Sequence, residues 1–319
     1  MISEFEIIRR YFTRRARTAL LGVGDDGALI RPRAGATLAV STDMLLAGRH
    51  FFPDADPEKL GHKALAVNLS DLAAMGAEPR WALLAIALPR ANGKWLAAFS
   101  KGFFRLARRF GTELIGGDTT RGPLAITITA IGEVPAKLAL RRDAARAGDD
   151  VWLSGATGEA ALALAHLKGR VRLAGRPRDA CLHRLHAPEP RVNLGRSLRG
   201  LARSATDVSD GLLADLGHIA KASGVAAELR WEDLPRAEAI ASCPNKALAK
   251  ECLLAGGDDY ELVFTAPRSR RSEVEGAASK AGVSVTAVGE IVAGKPGVRV
   301  RAAGGGIISA PRAGFDHFA

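Results

Sequence analysis

The sequence predicts a two-domain protein of the α/β or α+β class. Its 319 residues amount to about twice the usual domain length of roughly 100–200 residues. Short apolar strands alternate with amphipathic helices along the chain, which is typical of sheets covered by helices. The stretch 135–150 is basic and weakly periodic, and a new strand follows it. We therefore expect an N-terminal domain over 1–137 and a C-terminal domain over 138–319.

In the first domain, residues that start and stop helices bracket three predicted helices. A capping box begins the first helix at Ser3, and the helix continues to about residue 13. Asp56 is the N-cap of the second, which runs to Gly76, and Asn92 is the N-cap of the third, which ends at Gly111. Apolar or alternating runs between them predict strands at 37–41, 81–88, 114–115 and 124–134.

The second domain repeats this alternation. Its predicted strands are 151–153, 261–265 and 283–288. Its predicted helices are 158–167, 190–202, 210–223 and 270–280, with Asp210 as the N-cap of the third. Neither half shows a sequence repeat or a low-complexity segment.

The chain is strongly basic, with 45 Lys and Arg against 34 Asp and Glu and a net charge of +11. Such a charge is typical of proteins that bind nucleic acid. However, 34 of the 45 basic residues are Arg. The basic residues are scattered along the chain, singly or in pairs such as Arg9-Arg10, Arg14-Arg15, Arg108-Arg109, Arg141-Arg142 and Arg270-Arg271. Aromatic residues make up only 5% of the chain and do not alternate with the basic ones. The pattern favours a uniformly basic surface over a nucleic-acid interface.

The three cysteines, Cys181, Cys243 and Cys252, form no C-x-x-C pair, and the first residues lack the apolar core of a signal peptide. We therefore expect a cytoplasmic protein with reduced thiols. The longest apolar stretch, 81–88, is eight residues long, far short of the roughly 20 that a membrane span needs. No membrane association is predicted.

Aspartates recur beside Gly, Ser and Thr at predicted junctions between strands and loops, in the segments 24–27, 41–43, 116–120 and 207–211. Any one of these segments could be only a turn, because Asp side chains bond the local backbone. Asp71 is different, since it lies in an apolar helical segment where a carboxylate facing the interior or a cleft needs a partner. A solvated polar strip formed with Lys63 and Asn68 is the alternative.

Oxygen ligands without a His/Cys cluster select hard cations such as Mg²⁺, which is commonly bound together with substrate phosphates. Several aspartates facing a polyphosphate would repel it without metal, so a nucleotide site here requires Mg²⁺. Other phosphate motifs do not fit. No P-loop is present, and the Gly-x-Gly-x-x-Gly spacing at 22–27 places two aspartates against the expected pyrophosphate and begins no helix. The Gly-x-Ser-x-Gly motif that carries the nucleophilic serine of α/β-hydrolases is also absent.

The motifs taken together resemble those of the thiamine-monophosphate kinases, in order and over nearly the whole chain. The segments that carry the resemblance are 24–26, 41–43, 48–51, 63–76, 116–122, 207–211, 256–261 and 314–318. The wider superfamily includes aminoimidazole ribonucleotide synthetase and selenophosphate synthetase. The resemblance implies a two-domain fold of the aminoimidazole ribonucleotide synthetase type, with mixed sheets flanked by helices. It also implies a homodimer formed through the first domain, and a second domain that closes the cleft with Asp207 and Asp210.

The implied activity is ATP-dependent phosphorylation of thiamine monophosphate to thiamine diphosphate by direct in-line transfer. The acceptor is already a phosphate oxyanion, so no base or covalent nucleophile is required. The resemblance assigns several Mg²⁺ ions to Asp26, Ser41, Thr42, Asp43, Asp71, Asp118, Asp207 and Asp210. It assigns ATP to Gly117, Asp118, Arg142 and Ser209. It assigns thiamine monophosphate to His50, Asp258 and Phe315.

Two of the substrate residues depart from the family pattern, which often has Glu at position 258 and commonly Tyr or Trp at 315. The shorter Asp258 would reach its ligand through water, and Phe315 can stack on a ring but cannot donate a hydrogen bond. By themselves, His50 could be a surface histidine in a loop and Phe315 an anchor for the C-terminal tail.

Two other functions remain open at this point. One is a sibling ATP-dependent synthetase with another acceptor. The selenide-using members rely on a Cys or Sec and a Lys near the N-terminus, whereas the first Cys here is Cys181 and no Lys precedes Lys59. The other is a basic nucleic-acid-binding protein, whose binding would weaken steeply with salt.

Overall fold

The computed structural model describes residues 3–309, so the predicted substrate residue Phe315 lies outside the described residues. The chain forms two compact units. The first contains the residues up to Leu72 together with Ala77–Lys137, and the second contains Ala73–Gly76 and the residues from Leu138 onward. No helix within residues 3–309 is long and apolar enough to cross a bilayer.

The first unit is a four-stranded mixed sheet with long helices. Its elements are α1 (Glu4–Ile7), a π-helical turn (Ile8–Phe12), β1 (Ala19–Leu21), β2 (Leu29–Ile30), β3 (Ala36–Leu46), α2 (Pro57–Ala74), β4 (Glu78–Leu88), α3 (Gly93–Phe110), β5 (Glu113–Arg121) and β6 (Ala125–Pro135). The strand order is β3-β6-β4-β5, where only β4 and β5 are parallel. Strands β1 and β2 form a separate antiparallel pair.

The caps predicted for the three helices of this unit are confirmed. Ser3 and Glu6 form a reciprocal capping box at the start of α1. The Asp56 carboxylate accepts the backbone N–H groups of residues 58 and 59 at 2.8 and 3.1 Å. The Asn92 side chain accepts those of residues 94 and 95, and Gly111 ends α3 in the left-handed conformation at φ 66°. Local side chains thus satisfy the backbone groups that helix ends leave unpaired.

Helices α2 and α3 approach each other so closely that two positions accept only glycine. A Cβ atom on Gly102 would lie 1.8 Å from the backbone oxygen of Glu58, and one on Gly61 would lie 2.1 Å from that of Phe99. Because these neighbours are backbone atoms, they cannot move aside as a side chain could. The contact places α2, which carries Asn68 and Asp71, at a fixed distance from α3.

Gly102→Ala is therefore expected to lower the free energy of unfolding by about 2 kcal/mol, since overpacking of a close contact costs about 1–3 kcal/mol. The check is urea unfolding of both variants beside Gly276→Ala, which also places alanine in a helix but has open space around its Cβ. The control should be unchanged or slightly more stable, because Ala is the better helix former. Equal stability of the two variants would show that the helices can separate at no cost.

The second unit is a six-stranded mixed sheet with strand order β12-β9-β11-β7-β10-β8, in which only β12 and β9 are parallel. Its strands are β7 (Asp149–Ser154), β8 (Ser204–Asp207), β9 (Ala226–Arg230), β10 (Leu262–Pro267), β11 (Val285–Val292) and β12 (Gly297–Arg301). Its helices are α4 (Glu159–Leu167), α5 (Gly175–His186), α6 (Val192–Ser197), α7 (Leu212–Ser223), α8 (Glu238–Ala241), α9 (Lys246–Ala255) and α10 (Arg271–Ala281). The two mixed sheets flanked by helices confirm the predicted fold class.

Two helix predictions in this unit are wrong in detail. The helix expected over 190–202 is confined to α6, and turns follow it. The helix expected to begin with Asp210 as its N-cap begins after Gly211, which makes no side-chain cap bond. Instead, the carboxylate of Asp215, inside the first turn of α7, accepts the backbone N–H groups before the helix. The three cysteines are buried free thiols, and burial raises the pKa of Cys181 and of Cys252 to about 12.

Candidate active site

Strand β3 and helix α2 bring together three of the predicted metal ligands. The hydroxyl of Ser41 donates a hydrogen bond to Oδ2 of Asp71. The backbone N–H of Asp43 donates to Oδ1 of Asn68 at 3.1 Å, and Nδ2 of Asn68 donates to the carbonyl of Ala64 at 3.1 Å. Because residues three apart on a helix are neighbours on its surface, Asn68 and Asp71 both reach β3. The result is a cluster of hydroxyl, amide and carboxylate oxygens.

Thr42 lies between two members of this cluster but does not join it through its hydroxyl. Successive side chains of a strand point to opposite faces of the sheet. Accordingly, Oγ1 of Thr42 hydrogen-bonds to Oγ1 of Thr129 at 2.8 Å, on the face where Val40 and Met44 are exposed. Ligation of a metal by Thr42 on the side of Ser41 and Asp43 would have to use its backbone.

A cavity of about 780 Å³ lies beside β5 in the same unit, and it brings three other predicted residues together. Asp26, Gly117 and Asp118 all line it, along with apolar side chains such as Phe12. Gly117 has φ 144°, and a Cβ there would lie 1.8 Å from the carbonyl oxygen of Leu84. Glycine is therefore required, and the cavity is bounded by bare backbone next to the carboxylates of Asp25, Asp26 and Asp118. Backbone of this kind allows close approach of a phosphate.

The oxygen donors of this unit fit Mg²⁺ chemistry. Within residues 3–309 no three or more His, Cys, Asp or Glu side chains are close enough to hold a metal ion by themselves. Mg²⁺ does not need such a group, because it keeps several waters and uses one or two carboxylates together with substrate phosphates. The Asp43 and Asp71 cluster and the carboxylates at the cavity each supply a donor set of that size.

His50 lies in a turn directly after β3. Its Nδ1 accepts the backbone N–H of Leu46 at 2.9 Å, and its own backbone N–H donates to the carbonyl of Leu46 at 2.9 Å. Because Nδ1 is an acceptor here, a neutral ring carries its proton on Nε2. The turn thus fixes both the position of the ring and its tautomer.

In the second unit, Asp215 organises the loop that carries Asp207, Ser209 and Asp210. Its Oδ2 accepts the backbone N–H groups of Ser209, Asp210 and Gly211 at 3.0, 3.0 and 3.1 Å. Burial raises the pKa of Asp215 to about 7, while these backbone bonds act in the opposite direction. Asp207, at the end of β8, is itself buried. Sequence reasoning missed Asp215, although its place in the first turn of a helix after an Asp-Gly step was a signal.

The segment 256–261 pairs with this same loop and presents Asp258. The backbone N–H of Asp258 donates to the carbonyl of Ser209 at 2.9 Å, and that of Tyr260 donates to the carbonyl of Val208 at 2.8 Å. The hydroxyl of Tyr260 donates to Oδ1 of Asp258 at 2.8 Å. Both residues have positive φ, 68° and 53°, which costs energy for a side-chain-bearing residue and is typical of functional sites. The contact of Tyr260 with Asp258 is one that the sequence did not reveal.

Two buried carboxylates, those of Glu261 and Asp259, anchor this segment. Glu261 is fully buried, accepts from Ser154 Oγ at 2.5 Å and from Nε of Arg191 at 2.6 Å, and lies 3.1 Å from Nη1 of Arg184. Asp259, also buried, accepts the backbone N–H of Gly158 at 2.7 Å, at the start of α4. Burial raises the pKa of Asp259 well above its ordinary value. The backbone directly after Asp258 is therefore held by two buried carboxylates.

Arg142 lies near the end of β8 in the second unit. Its Nε donates to Oγ1 of Thr206 at 3.2 Å, and its carbonyl accepts from the hydroxyl of Ser223 at 2.7 Å. The guanidinium is thereby held beside the residue that precedes Asp207. Of the residues predicted to bind ATP, Gly117 and Asp118 lie together in the first unit, and Arg142 and Ser209 lie in the second.

Two family models match this chain. The model for AIR synthase related protein, N-terminal domain, matches residues 24–134, and the model for the C-terminal domain matches residues 146–301. Together with the two units and their mixed sheets, these matches define an AIR synthase-related protein. The fold of the aminoimidazole ribonucleotide synthetase type is confirmed.

Similarity to known proteins identifies the family of this chain within the AIR synthase-related class. Thiamine-monophosphate kinase of Salmonella typhimurium is 44% identical over 321 residues, covering 99% of this chain and 98% of the relative. The crystal structure of thiamine-monophosphate kinase from Stenotrophomonas maltophilia is 46% identical with a TM-score of 0.84, covering 93% of this chain and 94% of that one. The structure of AaThiL complexed with AMPPCP and TMP is 30% identical with a TM-score of 0.77, covering 90% and 89%. The chain belongs to the thiamine-monophosphate kinase family.

Proposed function

We propose that this chain transfers the γ-phosphoryl group of ATP to the phosphate of thiamine monophosphate, giving thiamine diphosphate and ADP. The observation that carries the proposal is the likeness, over about nine-tenths of the chain, to AaThiL complexed with AMPPCP and TMP. The full-length identity of 44% to a thiamine-monophosphate kinase supports the same reaction.

The chemistry of the site agrees with this reaction. The acceptor is an oxyanion at neutral pH, so the protein has to position two phosphates and offset their charge, without a covalent nucleophile or a base. Mg²⁺ ions, when bound, would neutralise the charge that develops on the transferred group. We propose that Asp43 and Asp71 hold such an ion, with Ser41 orienting the Asp71 carboxylate through its hydrogen bond. Asp26, Thr42, Asp118, Asp207 and Asp210 are the further proposed ligands.

The remaining site residues divide between the two substrates. The bare backbone at Gly117 is proposed to accept the ATP phosphates beside Asp118, with Arg142 and Ser209 as further ATP contacts. Asp258, held by Tyr260, is proposed to contact thiamine monophosphate together with His50. Phe315 is proposed as a third contact that stacks on a ring of the substrate.

ADP release with a panel of acceptors tests the proposal. Purified protein receives ATP and Mg²⁺ with thiamine monophosphate, free thiamine, selenide or no acceptor. We expect thiamine monophosphate, and not selenide, to stimulate ADP release. ADP release stimulated by selenide alone would assign the chain to a sibling synthetase. ATP turnover in none of the mixtures would contradict a kinase altogether.

His50→Ala is expected to raise the KM for thiamine monophosphate about tenfold, the equivalent of one hydrogen bond to a charged group. The KM for ATP should stay within about twofold. His218→Ala, an exposed histidine in α7, is the matched control and should change neither constant. A defect in the KM for ATP alone would place His50 on the other substrate.

We further propose that the protein is a homodimer in the cytoplasm. On the β3 face opposite Ser41, Val40, Met44 and Leu46 are 61%, 55% and 39% exposed, which is unusual for large apolar side chains in one strand. The buried free thiols suit a reducing compartment. Light scattering is expected to give about twice the chain mass of 33.5 kDa, and a monomer mass would contradict the dimer.

A further inference from the structure

A second cavity in the first unit is lined by basic side chains and lies between the N-terminal segment and helix α3. Its volume is about 920 Å³. Among residues 3–309, no acidic side chain lines it and five cationic ones do: Arg10, Arg14, Lys94, Lys101 and Arg108. By contrast, the cavity beside β5 is lined by Asp25, Asp26 and Asp118, and no basic residue of the described range lines it.

In the part of the chain that the structure describes, one of these five cations is paired with a carboxylate. Lys101 forms an ion pair with Glu58 at 2.8 Å. For Arg10, Arg14, Lys94 and Arg108, no carboxylate within residues 3–309 lies within the 4.0 Å of an ion pair. Like charges that surround one cavity raise each other's energy, and an anion placed between them relieves that repulsion. The cavity therefore has the charge of a site for an anion.

Two of the guanidinium groups, which are exposed, lie against aromatic rings rather than beside counter-charges. The Arg14 Cζ atom lies 4.5 Å from the centre of the Phe104 ring, and Nη1 of Arg14 donates to the carbonyl of Thr13 at 2.7 Å. The Arg10 Cζ atom lies 5.5 Å from the Tyr11 ring. A ring holds a guanidinium in position without cancelling its charge. Such an arrangement leaves planar donors preorganised for the oxygens of a phosphate.

The same cavity accounts for part of the arginine excess. Three of the scattered pairs in the sequence, Arg9-Arg10, Arg14-Arg15 and Arg108-Arg109, each contribute one residue to it. Arg10 and Arg14 are four positions apart near the N-terminus, whereas Arg108 follows Arg14 by 94 positions, so the fold brings two distant segments together. A merely solvated basic surface would not require the N-terminal segment and helix α3 to meet at one concave place.

We propose that this cavity is a binding site for a small phosphate-bearing anion, separate from the kinase site. Its volume is that of a small-molecule site, which is typically about 300–1,000 Å³. A nucleic acid fits less well, because Tyr11 and Phe104 are buried at 6% and 8% exposure and cannot stack on bases. The shared chemistry of the ligand is two or more linked phosphate groups, in free polyphosphate or in a nucleotide.

Calorimetric titration with inorganic tripolyphosphate in the presence of EDTA tests the site on the intact protein. Chelation of divalent metal disfavours phosphate binding among the carboxylates of the kinase site but not in the basic cavity. We expect one tripolyphosphate per chain, with affinity at least about tenfold weaker in the double variant Arg14→Ser with Arg108→Ser. Arg31→Ser with Arg90→Ser removes the same charge from exposed positions outside the cavity and should change the affinity less than about threefold.

Absence of binding by the unmodified protein would overturn the proposal, and so would equal weakening in the two double variants, since that would reflect net charge alone. Thermal unfolding of each variant checks that the fold is retained. Titration with ADP and with pyrophosphate then separates the sources: tighter ADP binding indicates a nucleotide, equal binding indicates free polyphosphate, and both support the site. An oligonucleotide that displaces tripolyphosphate at one strand per several chains would instead indicate a nucleic-acid surface and contradict the proposal.

Discussion

Asp71→Asn is expected to lower kcat at least about 100-fold while leaving the fold intact, a loss of about 2.7 kcal/mol in transition-state stabilisation. The amide keeps the shape of the side chain and can still accept the hydrogen bond from the Ser41 hydroxyl. It cannot supply the negative charge that a proposed Mg²⁺ ligand contributes. The variant therefore separates the charge of Asp71 from its packing in α2.

Steady-state kinetics with both substrates, together with a circular dichroism spectrum, provide the measurement. Asp54→Asn is the matched control, because Asp54 is exposed in the same unit and outside the site, and its kcat should stay within about twofold. Raising the Mg²⁺ concentration should recover part of the activity of Asp71→Asn if metal affinity is what was lost. Unmodified turnover in Asp71→Asn would remove this residue from the proposed metal site.

Glu261→Gln is expected to lower the free energy of unfolding by about 3 kcal/mol, because removing one partner of a buried ion pair leaves the other charge uncompensated. Glu261 is fully buried, and the Arg191 and Arg184 side chains beside it are only 14% and 24% exposed. The glutamine amide would also direct two N–H donors toward guanidinium donors. Activity should fall as well, since the loss occurs three residues from Asp258.

Urea unfolding of Glu261→Gln beside Glu275→Gln gives the comparison. Glu275 lies on the exposed face of α10, where removing the same charge should cost less than about 0.5 kcal/mol. Arg191→Met combined with Glu261→Gln should recover part of the lost stability, because the uncompensated cation is then gone. A loss below about 1 kcal/mol in Glu261→Gln would mean that this ion pair contributes little to the second unit.

The helices that the sequence predicted best are those whose signals are local. Asp56 and Asn92 accept backbone N–H groups two and three residues away, so the start of α2 and of α3 could be identified without knowing the fold. Strand β8, with the sequence Ser-Ala-Thr-Asp, carries no such signal. It is a strand because β10 pairs with it, and that pairing joins segments more than 50 residues apart.

The site residues divide in the same way, into those that sequence motifs identify and those whose roles depend on the fold. Motif resemblance selected Ser41, Asp43 and Asp71, and the structure brings them together. The two-residue period of a strand already indicates that the Thr42 hydroxyl cannot share a face with both of its neighbours. Tyr260 and Glu261 could not be recognised as supports of Asp258, because their roles depend on a positive backbone φ and on arginines from another segment.

The proposed function depends on one step, in which the phosphate of thiamine monophosphate accepts the γ-phosphoryl group of ATP. Phosphorus NMR of the purified protein with ATP, Mg²⁺ and thiamine monophosphate measures this directly. We expect the single resonance of thiamine monophosphate to be replaced by the two coupled resonances of thiamine diphosphate. One ADP should form for each thiamine diphosphate, and only when metal and acceptor are both present. Loss of ATP that yields inorganic phosphate while the thiamine monophosphate resonance is unchanged would contradict it.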